Sequence, residues 1–120
     1  MQPITQADLA RFQGTTNYYR HWLNQFKYTD GVKYLADAAE AHWLIDAIAS
    51  YQRDERVTGD EMLQEFQIWQ LSVSDGRGTL TLLRDTDDPV LSQDIEYTDF
   101  PLDEIKLYLS GGVLMLPSEY

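Results

Sequence analysis

The sequence predicts one α+β domain over 1–120, with about four N-terminal helices packed on a four- or five-stranded antiparallel meander sheet. Three observations carry this. Up to Tyr51, apolar residues recur at spacings of three and four. Beyond residue 60 the period falls to two, with Trp69, Leu71 and Val73 alternating with Gln70 and Ser72. Asp75-Gly76 and Gly111-Gly112 then supply turn signals that divide the second half into hairpins.

The first helix is expected over 6–13, opened by a capping box of Thr5 and Asp8 and ended near Gly14. Thr16 is placed to cap a second helix, 17–26, with Tyr18, Tyr19, Trp22, Leu23 and Phe26 as its apolar stripe. Asp30 is the expected N-cap of a third, which carries Val32, Leu35, Ala36 and Ala39. A fourth, or a continuation bent near Glu40, carries Trp43, Leu44, Ala47, Ile48 and Tyr51. The polar run 52–56 reads as a loop and Gly59 as the end of helical structure. Strands are expected around 69–73, with Phe66 and Ile68 on the opposite face, and at 79–83, 95–97, 106–109 and 113–116, with a turn at 85–89. The expected core includes Leu9, Tyr19, Trp22, Phe26, Leu35, Leu44, Ile48, Trp69, Leu71, Leu80, Leu82, Leu107, Val113 and Met115.

Charge is the most informative part of the composition. The formal net charge is −11, and it is uneven. Residues 1–53 hold five acids and five bases, whereas 54–120 hold fifteen acids and four bases. Between 85 and 104 stand eight acids and no base: Asp85, Asp87, Asp88, Asp94, Glu96, Asp99, Asp103 and Glu104. Such a segment repels phosphate backbones and attracts Lys- and Arg-rich surfaces, so direct nucleic-acid binding is not expected and a basic protein partner is. The plainer alternative is a surface that only keeps the chain soluble.

Little else points to chemistry. With no cysteine there is neither a disulfide frame nor a thiolate metal site, which suits a reducing cytoplasm. No basic start followed by an apolar run opens the chain, and the apolar stretch 113–116 is far too short for a membrane span. The two histidines, His21 and His42, fall on different predicted helices, with Asp46 four residues after His42 as the nearest carboxylate on a shared face. An acid-rich start at Asp85 suggests a calcium loop, but Val90 stands where that loop needs glycine. No phosphate-cradling or nucleophile-elbow motif occurs, so no catalytic residue, metal or cofactor is assigned. Two triplets recur, YTD at 28–30 and 97–99 and HWL at 21–23 and 42–44, without the sustained period of a repeat.

Four blocks, YTDGVKYLA (28–36), WLIDAIASYQ (43–52), EYTDFPL (96–102) and GVLMLPSEY (112–120), together resemble a family of small uncharacterised bacterial proteins, also carried on phages and plasmids. The family is a domain of unknown function, so it transfers no site residue. The resemblance implies a mobile genetic element, a setting in which small acidic proteins often bind a host protein. The expectation is therefore a non-enzymatic binding module that presents the eight acids to a basic host protein or nucleoprotein complex, as an anti-CRISPR inhibitor would. The alternative is a cytoplasmic accessory protein, a homodimer or larger homo-oligomer, with a merely solubilising surface.

Overall fold

A computed structural model describes residues 4–23 and 25–120. The α+β class holds, but the detail differs: among the described residues there are five α-helices and one seven-stranded mixed sheet. Helix α1 (Gln6–Ala10) opens with the predicted capping box, the Thr5 hydroxyl accepting from Asp8 N and the Asp8 carboxylate accepting from Thr5 N.

The predicted helix 17–26 is not there; its position 24 lies outside the described residues. In its place strand β1 (Tyr18–Arg20) pairs antiparallel with β2 (Lys27–Thr29). Aromatic residues suit a pleated surface as well as a helix stripe, and here a distant partner decides. β2 pairs in parallel with β7 (Val113–Met115), near the other end of the sequence. Trp22, predicted to be core, is therefore 74% exposed, and Tyr19 is half-buried. Thr16 caps nothing; its N–H donates to the Asp30 carboxylate.

Helix α2 (Asp30–Ala38) has Thr29, not Asp30, as its N-cap, the hydroxyl accepting from Val32 N. Glu40, in the left-handed region at φ 52°, separates α2 from α3 (His42–Ser50), as the predicted bend requires. The expected loop at 52–56 instead holds part of a 3₁₀ turn, Tyr51–Arg53, and the start of α4 (Glu55–Thr58). Gly59 does not end helical structure, because the Asp60 carboxylate accepts from Met62 N and Leu63 N and so caps α5 (Glu61–Glu65).

β3 (Phe66–Ser74) and β4 (Arg77–Asp85) form the predicted hairpin, with Asp75 and Gly76 both at positive φ. β5 (Asp88–Ile95) corrects the strand expected at 95–97. The turn expected at 85–89 is only Thr86-Asp87, and the acidic Asp88 already begins the strand. β6 (Glu104–Ser110) and β7 form the Gly-Gly hairpin. The strand order is β1-β2-β7-β6-β3-β4-β5, so β1 and β5 are the edges.

Alternation sorts the sheet into two faces. Trp69, Leu71, Leu80, Leu82, Leu91, Ile105, Leu107 and Leu114 point into the core with Leu35, Leu44 and Ile48 from the helices. Gln67 is buried among them and fully used. It donates to Leu63 O and to the Gln52 amide, and accepts from Gln52 and from the Trp69 indole. The other face carries Phe66, Ile68, Gln70, Thr79, Thr81, Tyr108 and Met115, all half-buried, so Val113 and Met115 are not core while Leu114 and Leu116 are. The radius of gyration, 13.5 Å, is what a compact domain of this length should have. Among the described residues no helix is long and apolar enough to cross a membrane.

Candidate functional site

The eight predicted acids do not form one surface. Asp85, Asp87 and Asp88 lie at the β4–β5 turn, where Arg84 holds Asp88 at 2.7 Å and Asp60 at 2.8 Å. Asp94, Glu96, Asp99, Asp103 and Glu104 lie at the opposite end of the sheet, around the β3–β4 hairpin, and all five are exposed.

The sequence builds that end in two steps. Register places Glu104, Ser72, Thr79 and Asp94 in one row across β6, β3, β4 and β5, on the same face. Three strand spacings separate the outer carboxylates by about 14 Å. The connection 96–103 then wraps the hairpin tip. Thr98 N donates to Gly76 O at 2.7 Å, Val73 N donates to Asp103 O at 2.8 Å, and Thr98 Oγ1 accepts from Phe100 N. Thr98 and Phe100 are buried, which leaves Tyr97 and Asp99 facing water, Tyr97 at 79% exposure. Arg77, at the hairpin, is the base that stands among these acids, and Lys106 lies one row inward.

The histidines pair differently from the expectation. His42 is bonded to Asp37 at 2.8 Å, not to Asp46. The Lys33 ammonium, followed by His42, holds the Asp37 carboxyl below its ordinary range. Asp46 instead receives His21 Nε2 at 2.6 Å and the Trp22 indole at 2.8 Å. His21 is 4% exposed and its Nδ1 accepts from Leu23 N, so both ring nitrogens are engaged in holding the β1–β2 connection to α3. Sequence spacing could not find this pair, because it spans 25 positions and one partner lies on a predicted helix that does not form.

A cavity of about 370 Å³ lies between α1, β6 and the C-terminal 3₁₀ turn Pro117–Glu119, with Leu9, Ile105 and Leu116 as its apolar wall and Glu104 and Lys106 at its rim. Neither histidine lines it. Among the described residues no group of three or more His, Asp or Glu is arranged to hold a metal ion.

Two internal clasps account for other blocks of the sequence. Asp30 accepts from Thr16 N, Asn17 N and the Tyr19 hydroxyl, and the Thr16 bond above all holds its carboxyl below the ordinary range. Glu119 accepts from the Thr29 hydroxyl at 2.6 Å, from Leu116 N at 3.0 Å and from Gly31 N at 3.3 Å, so the C-terminal segment closes the N-terminus of α2.

No curated protein and no solved structure matches the chain. One family model does match, over residues 3–120, and the chain belongs to that family, the family of unknown function DUF6876.

Proposed function

We propose that the protein is a non-enzymatic binding module that presents the acidic end of its sheet to a basic surface on a protein or nucleoprotein partner. The supporting observation is the gathering of Asp94, Glu96, Asp99, Asp103 and Glu104 around the β3–β4 hairpin, all exposed and built on ladder and turn hydrogen bonds. A predominantly negative field on a firm support, with five carboxylates around Arg77, steers a Lys- and Arg-rich partner and repels nucleic acid competing for it. A mobile-element setting and an anti-CRISPR-like role, in which carboxylates occupy a groove meant for phosphates, extend the same reading. The test is competition with nucleic acid for guide-loaded effector complexes, read by mobility shift. The protein should lower nucleic-acid occupancy, more weakly at high salt, and lose the effect when the five acids become Asn or Gln. Inhibition that survives this neutralisation refutes the reading.

A second reading, a homodimer whose acidity only keeps it soluble, is favoured by the other face of the sheet. There Phe66, Tyr108 and Tyr120 pack in tilted and edge-to-face contacts with ring centroids 5.0–5.6 Å apart, and Tyr120 is 73% exposed. Sedimentation of the Tyr108→Ser variant separates the two: a dimer that falls to a monomer supports this reading.

A further inference from the structure

We infer that strand β5 is the docking edge of the module, where an extended Lys- or Arg-bearing segment of the partner adds to the sheet as an eighth strand. This rests on the binding-module reading and names how the partner is held.

Hairpin geometry fixes which backbone groups are free. The two-residue turn Asp75-Gly76 makes Ser74 and Arg77 a hydrogen-bonded pair, and such pairs alternate along an antiparallel ladder. Arg77, Thr79 and Thr81 therefore spend their N–H and C=O groups on β3, while Gly78, Leu80 and Leu82 spend theirs on β5. Their partners Ile95, Gln93 and Leu91 face back toward β4. Ser92 and Asp94 point their N–H and C=O groups out of the sheet, where no further strand pairs with β5, whereas at Val90 the register shifts by one residue and interrupts the alternation. The other edge, β1, is only three residues long.

The charges select the occupant. Residues 89–93 carry no charge, but Asp87 and Asp88 stand before them and Asp94 and Glu96 after them. Asp87, which lines the exposed groove with Val90 and Ser92, and Asp94 are about 20 Å apart along the strand, so basic residues some six or seven positions apart on an added strand would meet both ends. Two grooves on the exposed face share Thr79 and run along β4 and β5. One holds Val90, Ser92 and Asp87; the other holds Asp94, Glu96 and also Arg77. They can take alternate side chains of the added strand. A second copy fits badly: antiparallel pairing centred on Ser92 sets Glu96 against Asp88 at both ends. Pro89 and the flanking acids thus guard the edge against its own kind without excluding a basic segment.

The probe is a fluorescent ten-residue peptide alternating lysine with valine and threonine, beside the same peptide N-methylated on alternate residues. On binding, amide exchange at Ser92 and Asp94 should slow at least tenfold while Leu91 and Gln93 stay unchanged. N-methylation of the peptide, or Ser92→Pro in the protein, should each weaken binding at least tenfold. Proline is tolerated at Ser92 because the N–H it removes faces solvent. Absence of binding, or equal binding of the methylated peptide, overturns strand addition. If binding then still falls on neutralising Asp94 and Glu96, the acidic-surface reading stands alone; if it does not, both fall. Protection of the same two amides in a concentration-dependent dimer without peptide would overturn the choice of a basic partner.

Discussion

Replacing Gly31 with alanine tests how the C-terminal segment is locked. Gly31 lies in the first turn of α2, where alanine is ordinarily better than glycine by about 0.5–1 kcal/mol. Here a Cβ would meet Glu119 Oε1 at 2.6 Å, Leu116 Cδ1 at 2.7 Å and Glu119 Cδ at 2.8 Å. Both neighbours are side-chain ends that can rotate, but neither is free to do so cheaply. Glu119 is held by Thr29, Gly31 and Leu116, and Leu116 is fully buried. Losing one or two hydrogen bonds to a carboxylate costs about 2–4 kcal/mol, so Gly31→Ala should destabilise by about 1–3 kcal/mol after the propensity gain. Urea unfolding measures this through the midpoint at unchanged slope. A cycle with Glu119→Ala sharpens it, because that change removes two of the three close contacts. The cost of Gly31→Ala should then shrink by at least about 1 kcal/mol. A stabilised single variant, or strictly additive costs, refutes the reasoning.

Three further outcomes follow from the contacts. Asp46→Ala should cost about 1–3 kcal/mol, since it strands the buried His21 Nε2, whereas Asp37→Ala, which breaks exposed pairs, should cost under about 1 kcal/mol; thermal melts compare them. Gln67→Leu leaves the Trp69 indole N–H and Leu63 C=O without partners and should cost about 2–4 kcal/mol in denaturant unfolding. Because the folded Asp30 carboxyl is depressed, its contribution is present above the unfolded value of about 4 and is lost as pH falls through the lower folded value. Acid titration by NMR should show residues 15–20 loosening in that range, and Asp30→Asn should abolish that pH dependence.

What the sequence disclosed, and what it hid, divides by the distance over which each decision is made. The capping box at Thr5, the positive-φ turn at Asp75-Gly76 and the alternation of Trp69, Leu71 and Val73 are settled within a few residues, and all were legible. The segment 17–26 was not, because its aromatics fit either period and the strand outcome depends on Leu114, some 90 positions away. β5 was hidden for a different reason. Its acidic start mimics a turn, and only pairing with β4 shows that the acids flank a strand. The site was half legible: composition located the acids, but register alone brings Glu104 into the row of Asp94 and sends Asp85, Asp87 and Asp88 to the far end.

The two YTD triplets show how one short string is consumed differently by its surroundings. In the first, Tyr28 stacks on Tyr19, Thr29 caps α2 while donating to Glu119, and Asp30 clasps the 15–20 segment. All three side chains are spent on the fold. In the second only Thr98 is spent, buried over Gly78, where its Cγ2 lies 3.5 Å from the position a Cβ there would take. Tyr97 and Asp99 project into water beside the end of β5. A side chain already holding the fold together cannot also be free for a partner, and an aromatic this exposed contributes little to stability where it stands. The same three letters therefore serve as an internal clasp near one end of the sequence. In the acidic segment they form a buried anchor that carries two outward groups, and those two lie beside the edge proposed to receive a partner strand.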